Sequence, residues 1–193
     1  DCDSLAMEPI TDFAKSFLPV FEKIQSSTLE LRTKSTQIRS LLEITPLNNV
    51  ICSFSLNPQE IIERFEKKTP SLESRLNSIL KLSSAGWRIG LRFDPVIATN
   101  NFRKIYESCF RKVFKKIAKE NVDSISLGTF RLSSTQYKRM YKDRPDEWLY
   151  STLAPNKDFE RFGYQPNLDA DILNWCQDRL FHYAEGVPLF NQS

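Results

Sequence analysis

Four short strand-like segments, each followed by a stretch with helical periodicity, constrain this chain more than any other feature of its sequence. The segments are 28–33, 50–56, 87–93 and 123–130. The second opens on the β-branched pair Val50 and Ile51, which favours a strand. Between them, apolar residues recur at helical spacing. In 100–119, Phe102, Ile105, Tyr106, Cys109, Phe110, Val113, Phe114 and Ile117 share one face. Strands that alternate with helices make parallel β-α units, in an open α/β sheet or in part of a barrel.

The remaining helices have readable ends. Residues 12–25 carry Phe13, Phe17, Leu18, Phe21 and Ile24 in helical rhythm, and Pro19 within them predicts a kink or a break. A short helix is expected over 35–42. At Asn57-Pro58-Gln59-Glu60, Asn57 reads as a cap and Pro58 as a first-turn residue of a helix running to about Lys68. Thr69-Pro70 opens another, stopped by Ala85-Gly86. Beyond Ser134 the pattern loosens: a helix near 136–141, an aperiodic stretch with prolines and aromatics over 144–166, and a last helix over about 169–183. The expected division is 1–133 as β-α units and 134–193 as an extension packing on them.

Composition sets outer limits. With 40% hydrophobic and 26% charged residues in a 193-residue chain, one ordinary globular domain is expected. The formal net charge of +3 does not by itself require a nucleic acid partner. The basic clusters at 103–119 and 138–144 read first as solvated helix faces. Cys2, Cys52, Cys109 and Cys176 lie too far apart for a zinc or cluster motif, so no metal ligands are assigned, and a reduced, cytoplasmic chain is expected. No apolar run approaches the roughly 18 residues of a membrane span, and no signal peptide is visible. A first residue of Asp rather than Met leads to the expectation of further chain upstream.

In parallel β-α arrays, function gathers where the strands end. Here those ends read Arg32-Thr33-Lys34, Ser53-Phe54-Ser55-Leu56-Asn57, Arg92-Phe93-Asp94-Pro95 and Gly128-Thr129-Phe130-Arg131. Each residue also has a plain structural reading: Asn57 as a cap, Asp94 as a turn former, Lys34 and Arg131 as solvated charges. Polar groups at all four ends together favour a binding rim. His182 stands alone on the last helix. No Ser-His-Asp order, HExxH pair or phosphate-binding glycine loop is present.

Several stretches, in order, resemble the spore photoproduct lyase family of radical S-adenosylmethionine proteins. They are Asp3-Ser4-Leu5-Ala6, Glu8-Pro9-Ile10-Thr11, Glu30-Leu31-Arg32-Thr33-Lys34-Ser35, Phe54-Ser55-Leu56-Asn57-Pro58-Gln59-Glu60-Ile61-Ile62 with Arg64-Phe65-Glu66, and Thr69-Pro70-Ser71-Leu72 with Arg75. Ala85-Gly86-Trp87, Gly90-Leu91-Arg92-Phe93-Asp94-Pro95 and Gly128-Thr129-Phe130-Arg131 continue the likeness, with Arg161-Phe162-Gly163-Tyr164 a looser match.

The resemblance implies a partial (β/α)6 radical S-adenosylmethionine barrel of which this chain supplies strands three to six. The 4Fe–4S cluster would be held by cysteines upstream of Asp1. Lys34, Ser55 and Asn57 would contact S-adenosylmethionine. Cys2 lies near the second-strand exit, where such lyases carry a hydrogen-donor cysteine. Arg92, Asp94 and Arg131 would line the substrate side, and Arg161 and Phe162 resemble part of a hairpin that approaches DNA. The implied activity is repair of a thymine photodimer through a 5′-deoxyadenosyl radical, in a monomer with damaged DNA as partner and an unnamed electron donor. This fragment alone, without the cluster motif, is expected to be inactive. Two other functions fit the residues: the same cofactor chemistry on another substrate, and a non-catalytic α/β binding module.

Overall fold

The computed structural model describes residues 3–24, 26–157 and 159–191. In chain order the elements are α1 (Glu8–Thr11), α2 (Phe13–Phe21), β1 (Leu29–Thr33), α3 (Arg39–Leu42), β2 (Val50–Ser55), α4 (Gln59–Phe65), α5 (Leu72–Ser84) and β3 (Arg88–Val96). Then come α6 (Phe102–Lys116), β4 (Val122–Thr129), β5 (Arg131–Ser133), α7 (Ser134–Asp143), α8 (Trp148–Ser151), β6 (Ala154–Pro155), β7 (Arg161–Gly163), α9 (Pro166–Tyr183) and β8 (Leu189–Asn191). A five-stranded sheet has the order β1-β2-β3-β4-β8, and every pairing in it is parallel. The four expected strands are therefore neighbours in sequence order, with β1 on an edge. The second sheet, β5-β7-β6, is small and antiparallel.

Strand alternation gives the main sheet two chemically distinct faces. One set of positions, Val50, Cys52 and Phe54 on β2, Ile89, Leu91 and Phe93 on β3, and Ile125 and Leu127 on β4, is buried in the core. Leu76 and Ile79 of α5, Phe110 and Val113 of α6, and Ile172, Cys176 and Leu180 of α9 belong to the same cluster. The Phe93 and Phe110 rings meet edge-on at 4.9 Å. The alternate positions are polar: Glu30 and Arg32, Ser53 and Ser55, Gly90 and Arg92, Ser124 and Ser126. On that face Arg92 lies along the sheet, donating from Nε to Glu30 Oε1 at 2.6 Å and from Nη2 to Ser124 Oγ at 3.1 Å. Gly90 makes room for it. A Cβ there would stand 2.6 Å from Arg92 Nη2 and 2.2 Å from Ser53 Oγ.

Several elements depart from expectation for identifiable reasons. Helix α2 runs on through Pro19 without being split. Only part of its apolar stripe is covered: Leu18 and Phe21 are buried, while Phe13, Phe17 and Ile24 are exposed. The helix expected over 35–42 shrinks to α3. Thr33 and Ser35 hydroxyls accept the amides of Ser35 and Gln37, and these side chain to backbone turns compete with helical bonding. The cap of α4 is Pro58, not Asn57, whose amide is engaged elsewhere. Helix α4 ends at Phe65, short of Lys68, which adopts a left-handed φ of 64°. The stop of α5 is as expected, with Gly86 at φ 95°. Within 134–193, β6 and β7 pair with β5 in the small sheet, α9 packs into the core, and β8 extends the main sheet beside β4.

Candidate functional site

The strand exits converge on one rim. At the end of β1, the Asp3 carboxylate accepts from Thr33 Oγ1 at 2.5 Å and from the Lys34 amide at 2.6 Å. This fixes the backbone from which the Lys34 side chain, one-third exposed, projects. Its ammonium stands 3.9 Å from Glu66 Oε1, beyond hydrogen-bond contact, so its donors are not consumed there. Ser55, at the end of β2, is buried. Its hydroxyl accepts from Arg32 Nε at 3.4 Å and keeps its own hydrogen to donate.

Beneath the rim lies a connected set of buried polar groups. Arg75 of α5 is completely buried and donates to the carbonyls of Pro70 and Ser55, to Thr69 Oγ1, and to Glu66 Oε2 at 2.6 Å. Glu66 Oε1 accepts from Asn57 Nδ2 at 2.9 Å. Asn57 Oδ1 in turn accepts from the Tyr106 hydroxyl at 2.8 Å, and that hydroxyl accepts from the Ile97 amide at 2.9 Å. Burial pushes the Tyr106 phenol well above its usual range, so it remains a donor. The chain of bonds ties the exits of β2 and β3 together. It also gives Asn57 a supporting role: both ends of its amide are engaged inside the protein, and it is 1% exposed.

A second cluster centres on Asp94 at the β3 exit. Its Oδ2 accepts from Arg32 Nη2 at 3.2 Å, and its Oδ1 lies 3.6 Å from Arg131 Nη1. The same Arg32 nitrogen donates to the Asp94 carbonyl at 3.0 Å. Asp94, Arg131, Lys34 and Ser55 thus lie on or beside the rim, whereas Arg92 lies below it on the sheet face, committed to Glu30 and Ser124. Arg131 also lines an open groove of about 510 Å³ with Lys157, Arg161, Phe162 and Tyr164. Arg161 is exposed on β7 and, among the described residues, takes part in no ion pair. Phe162 stacks on Tyr137 of α7, ring centroids 3.9 Å apart and nearly coplanar. The groove is therefore bounded by an anchored aromatic, the cations Arg131, Lys157 and Arg161, and the Asp169 carboxylate, which pairs with the Thr129 hydroxyl.

Cys2 lies outside the described residues. Cys52, Cys109 and Cys176 are free and buried in the core, and burial pushes each thiol up to about 12. They are packing residues, far from the thiolate state that ligates metals or attacks substrates. His182 contacts the Tyr183 ring edge-on. The sequence marks Arg32 only as part of the polar rim and gives Glu66 and Arg75 no role of their own. Arg32 was legible as a charge at a strand exit. No periodicity marks Arg75 as buried, because its partners are the β2 exit at Ser55 and the turn carrying Glu66, Thr69 and Pro70, which only the fold brings around it.

Residues 1–153 match the family model described as spore photoproduct lyase. The spore photoproduct lyase of Clostridium acetobutylicum is 26% identical over 168 residues, covering 84% of this chain and 48% of that protein. The enzyme of a Geobacillus species is 24% identical over 140 residues, covering 72% of this chain and 40% of its own length. This chain thus spans less than half the length of these relatives. A solved spore photoproduct lyase complexed with dinucleoside spore photoproduct superposes with a TM-score of 0.86 at 14% identity, over 98% of this chain and 58% of that one. A variant of that enzyme with bound AdoMet and the same dinucleoside gives a TM-score of 0.84 at 15% identity, over 97% and 57%. These likenesses show the α/β fold and accord with a partial barrel.

Proposed function

The chain belongs to the spore photoproduct lyase family, and from that premise we propose that it forms part of a radical S-adenosylmethionine enzyme acting on a thymine photoproduct in DNA. The observation that carries the proposal is the convergence of Lys34 and Ser55 at one rim, next to a cationic groove. The donor set suits the cofactor. Lys34 offers an ammonium to the methionyl carboxylate, and Ser55 offers a hydroxyl hydrogen to the amino acid or ribose part. Asn57 acts from behind, holding Glu66 opposite Lys34.

When bound, this cofactor supplies hydrogen abstraction by radical chemistry. The chain's own residues bind, orient and exclude water. Asp3 steadies the backbone at Lys34, Arg32 directs the Ser55 hydroxyl, and the buried network keeps both strand exits in register. The 4Fe–4S cluster is assigned to residues upstream of Asp1, since the three described cysteines are buried core thiols held far from the thiolate state. Asp94 and Arg131 face the substrate side, and Arg161 with Phe162 meets the DNA. A monomer in the cytoplasm is part of the same proposal, supported by three free thiols; among the described residues no helix is long and apolar enough to cross a membrane.

The test is cofactor titration of the natural full-length protein. Lys34→Ala is expected to weaken S-adenosylmethionine binding at least tenfold, about 1.4 kcal/mol, with thermal stability unchanged. Equal affinity in the variant and the parent would remove Lys34 from the site. A substrate assay with thymine photoproduct separates the proposed activity from the same cofactor chemistry on another molecule.

A further inference from the structure

We propose that Arg32 and Arg131, bridged by Asp94, form a clamp for the phosphodiester that joins the two nucleosides of a DNA lesion. The inference deepens the reading of the rim as a lesion site and rests on it. Two guanidiniums share one carboxylate, which leaves an excess positive charge at the strand exits. Arg32 uses Nε and Nη2 on Ser55 and Asp94. Arg131 uses Nη1 on the Thr129 carbonyl and Asp94. Among the described residues this leaves Nη1 of Arg32 and Nε and Nη2 of Arg131 without protein acceptors. Both side chains are partly open to solvent, 40% and 31% exposed, while Asp94 beneath them is 13% exposed. The carboxylate therefore holds the pair in place and leaves donors facing outward.

Planar guanidinium forks match phosphate oxygens in geometry and charge. The groove selects a phosphodiester over a small carboxylate. Arg131 belongs to the clamp and also lines the groove with Lys157 and Arg161, so a strand held at the clamp continues along further cations. Arg92, by contrast, is spent on Glu30 and Ser124 and takes no part.

The experiment uses the natural full-length protein and two probes: a thymine photoproduct dinucleotide with its bridging phosphodiester, and the dinucleoside without it. The readout is the ratio of the two affinities, in which any change in cofactor binding cancels. The wild-type protein is expected to prefer the phosphate-bearing probe. Arg32→Ala is expected to lower that ratio about tenfold, and Arg131→Ala to lower it in the same direction. An unchanged ratio in either variant overturns the clamp. A wild-type ratio of one also overturns it while leaving the lesion site intact. Binding of neither probe by the wild-type protein overturns the lesion site and the clamp together.

Discussion

Arg75 shows how much a single residue can carry here. A buried cation is tolerated only when its donors are satisfied and its charge is met, and Arg75 achieves this with two carbonyls, one hydroxyl and the Glu66 carboxylate. Arg75→Met is expected to destabilise the protein by about 3–5 kcal/mol, because Glu66 is left with its main counterion gone. Arg103→Ala, which breaks an exposed pair with Asp171, is expected to cost under about 1 kcal/mol. Urea denaturation of both variants checks the contrast. Glu30 gives the pH dependence its sign. Burial pushes its carboxyl up, but the nearby Ser53 hydroxyl, the hydrogen bond from Arg92 and the charges of Arg92 and Arg32 outweigh burial and hold it below its usual value of 4.5. A carboxyl depressed in the folded state adds stability above its unfolded value, and that stability is lost as pH falls through the folded value. The midpoint of unfolding is therefore expected to drop below about pH 4.5, and to drop less steeply in Glu30→Gln. At this scale the sequence was legible where a residue's role is local, as with Gly86. Asn57 reads as a cap from its local sequence, but its amide is taken by Glu66 at the far end of α4 and by Tyr106 of α6.

The elements were legible in proportion to their length and burial. Strands β1 to β4 are buried runs whose apolar and polar positions alternate, and their limits were read to within a few residues. Helix α6 carries a full apolar face and was equally clear. The sheet β5-β7-β6 has strands of two or three residues, too short for any period to register, and its order depends on contacts between 131–133 and 154–163. The same holds for β8. Caps lie between these extremes. Ser71 accepts the amide of Ser74 at the start of α5, satisfying a donor the helix itself cannot. Helix α5 carries Arg75 and packs on β2 and β3, so its start also fixes the buried network. Ser71→Ala is expected to lower stability by about 1 kcal/mol in thermal or chemical unfolding, while Ser71→Asp retains the cap and most of the stability.

For the molecule as a whole, the rim belongs to the main sheet and the groove to the join between that sheet and residues 131–166. Helix α8 is pinned to α4 through Arg64, whose guanidinium lies 5.2 Å from the Phe65 ring centroid and 5.3 Å from that of Trp148 and pairs with Glu147. With the small sheet anchored on one side, and on the other the buried Tyr164, whose hydroxyl accepts from the Ala98 amide at 2.9 Å, Arg161 and Phe162 line the groove beside Arg131. The two residues were read together from the sequence, yet the structure separates their expected effects. Among the described residues Arg161 takes part in no ion pair, and in the proposed function its charge serves a phosphate contact. In the natural full-length protein, titrated with an oligonucleotide carrying one thymine photoproduct across a salt series, Arg161→Ala is expected to weaken binding. It should also reduce the slope of log affinity against log salt by about one, since one fewer counterion is released. Its thermal unfolding should match the parent. Phe162 is stacked on Tyr137, so Phe162→Ala is expected to lower stability and to expose the 134–165 stretch to proteolysis, with the salt slope unchanged because no charge is lost. An Arg161→Ala protein that keeps the parental slope but unfolds at lower temperature would make the arginine a structural residue and move the DNA track away from β7.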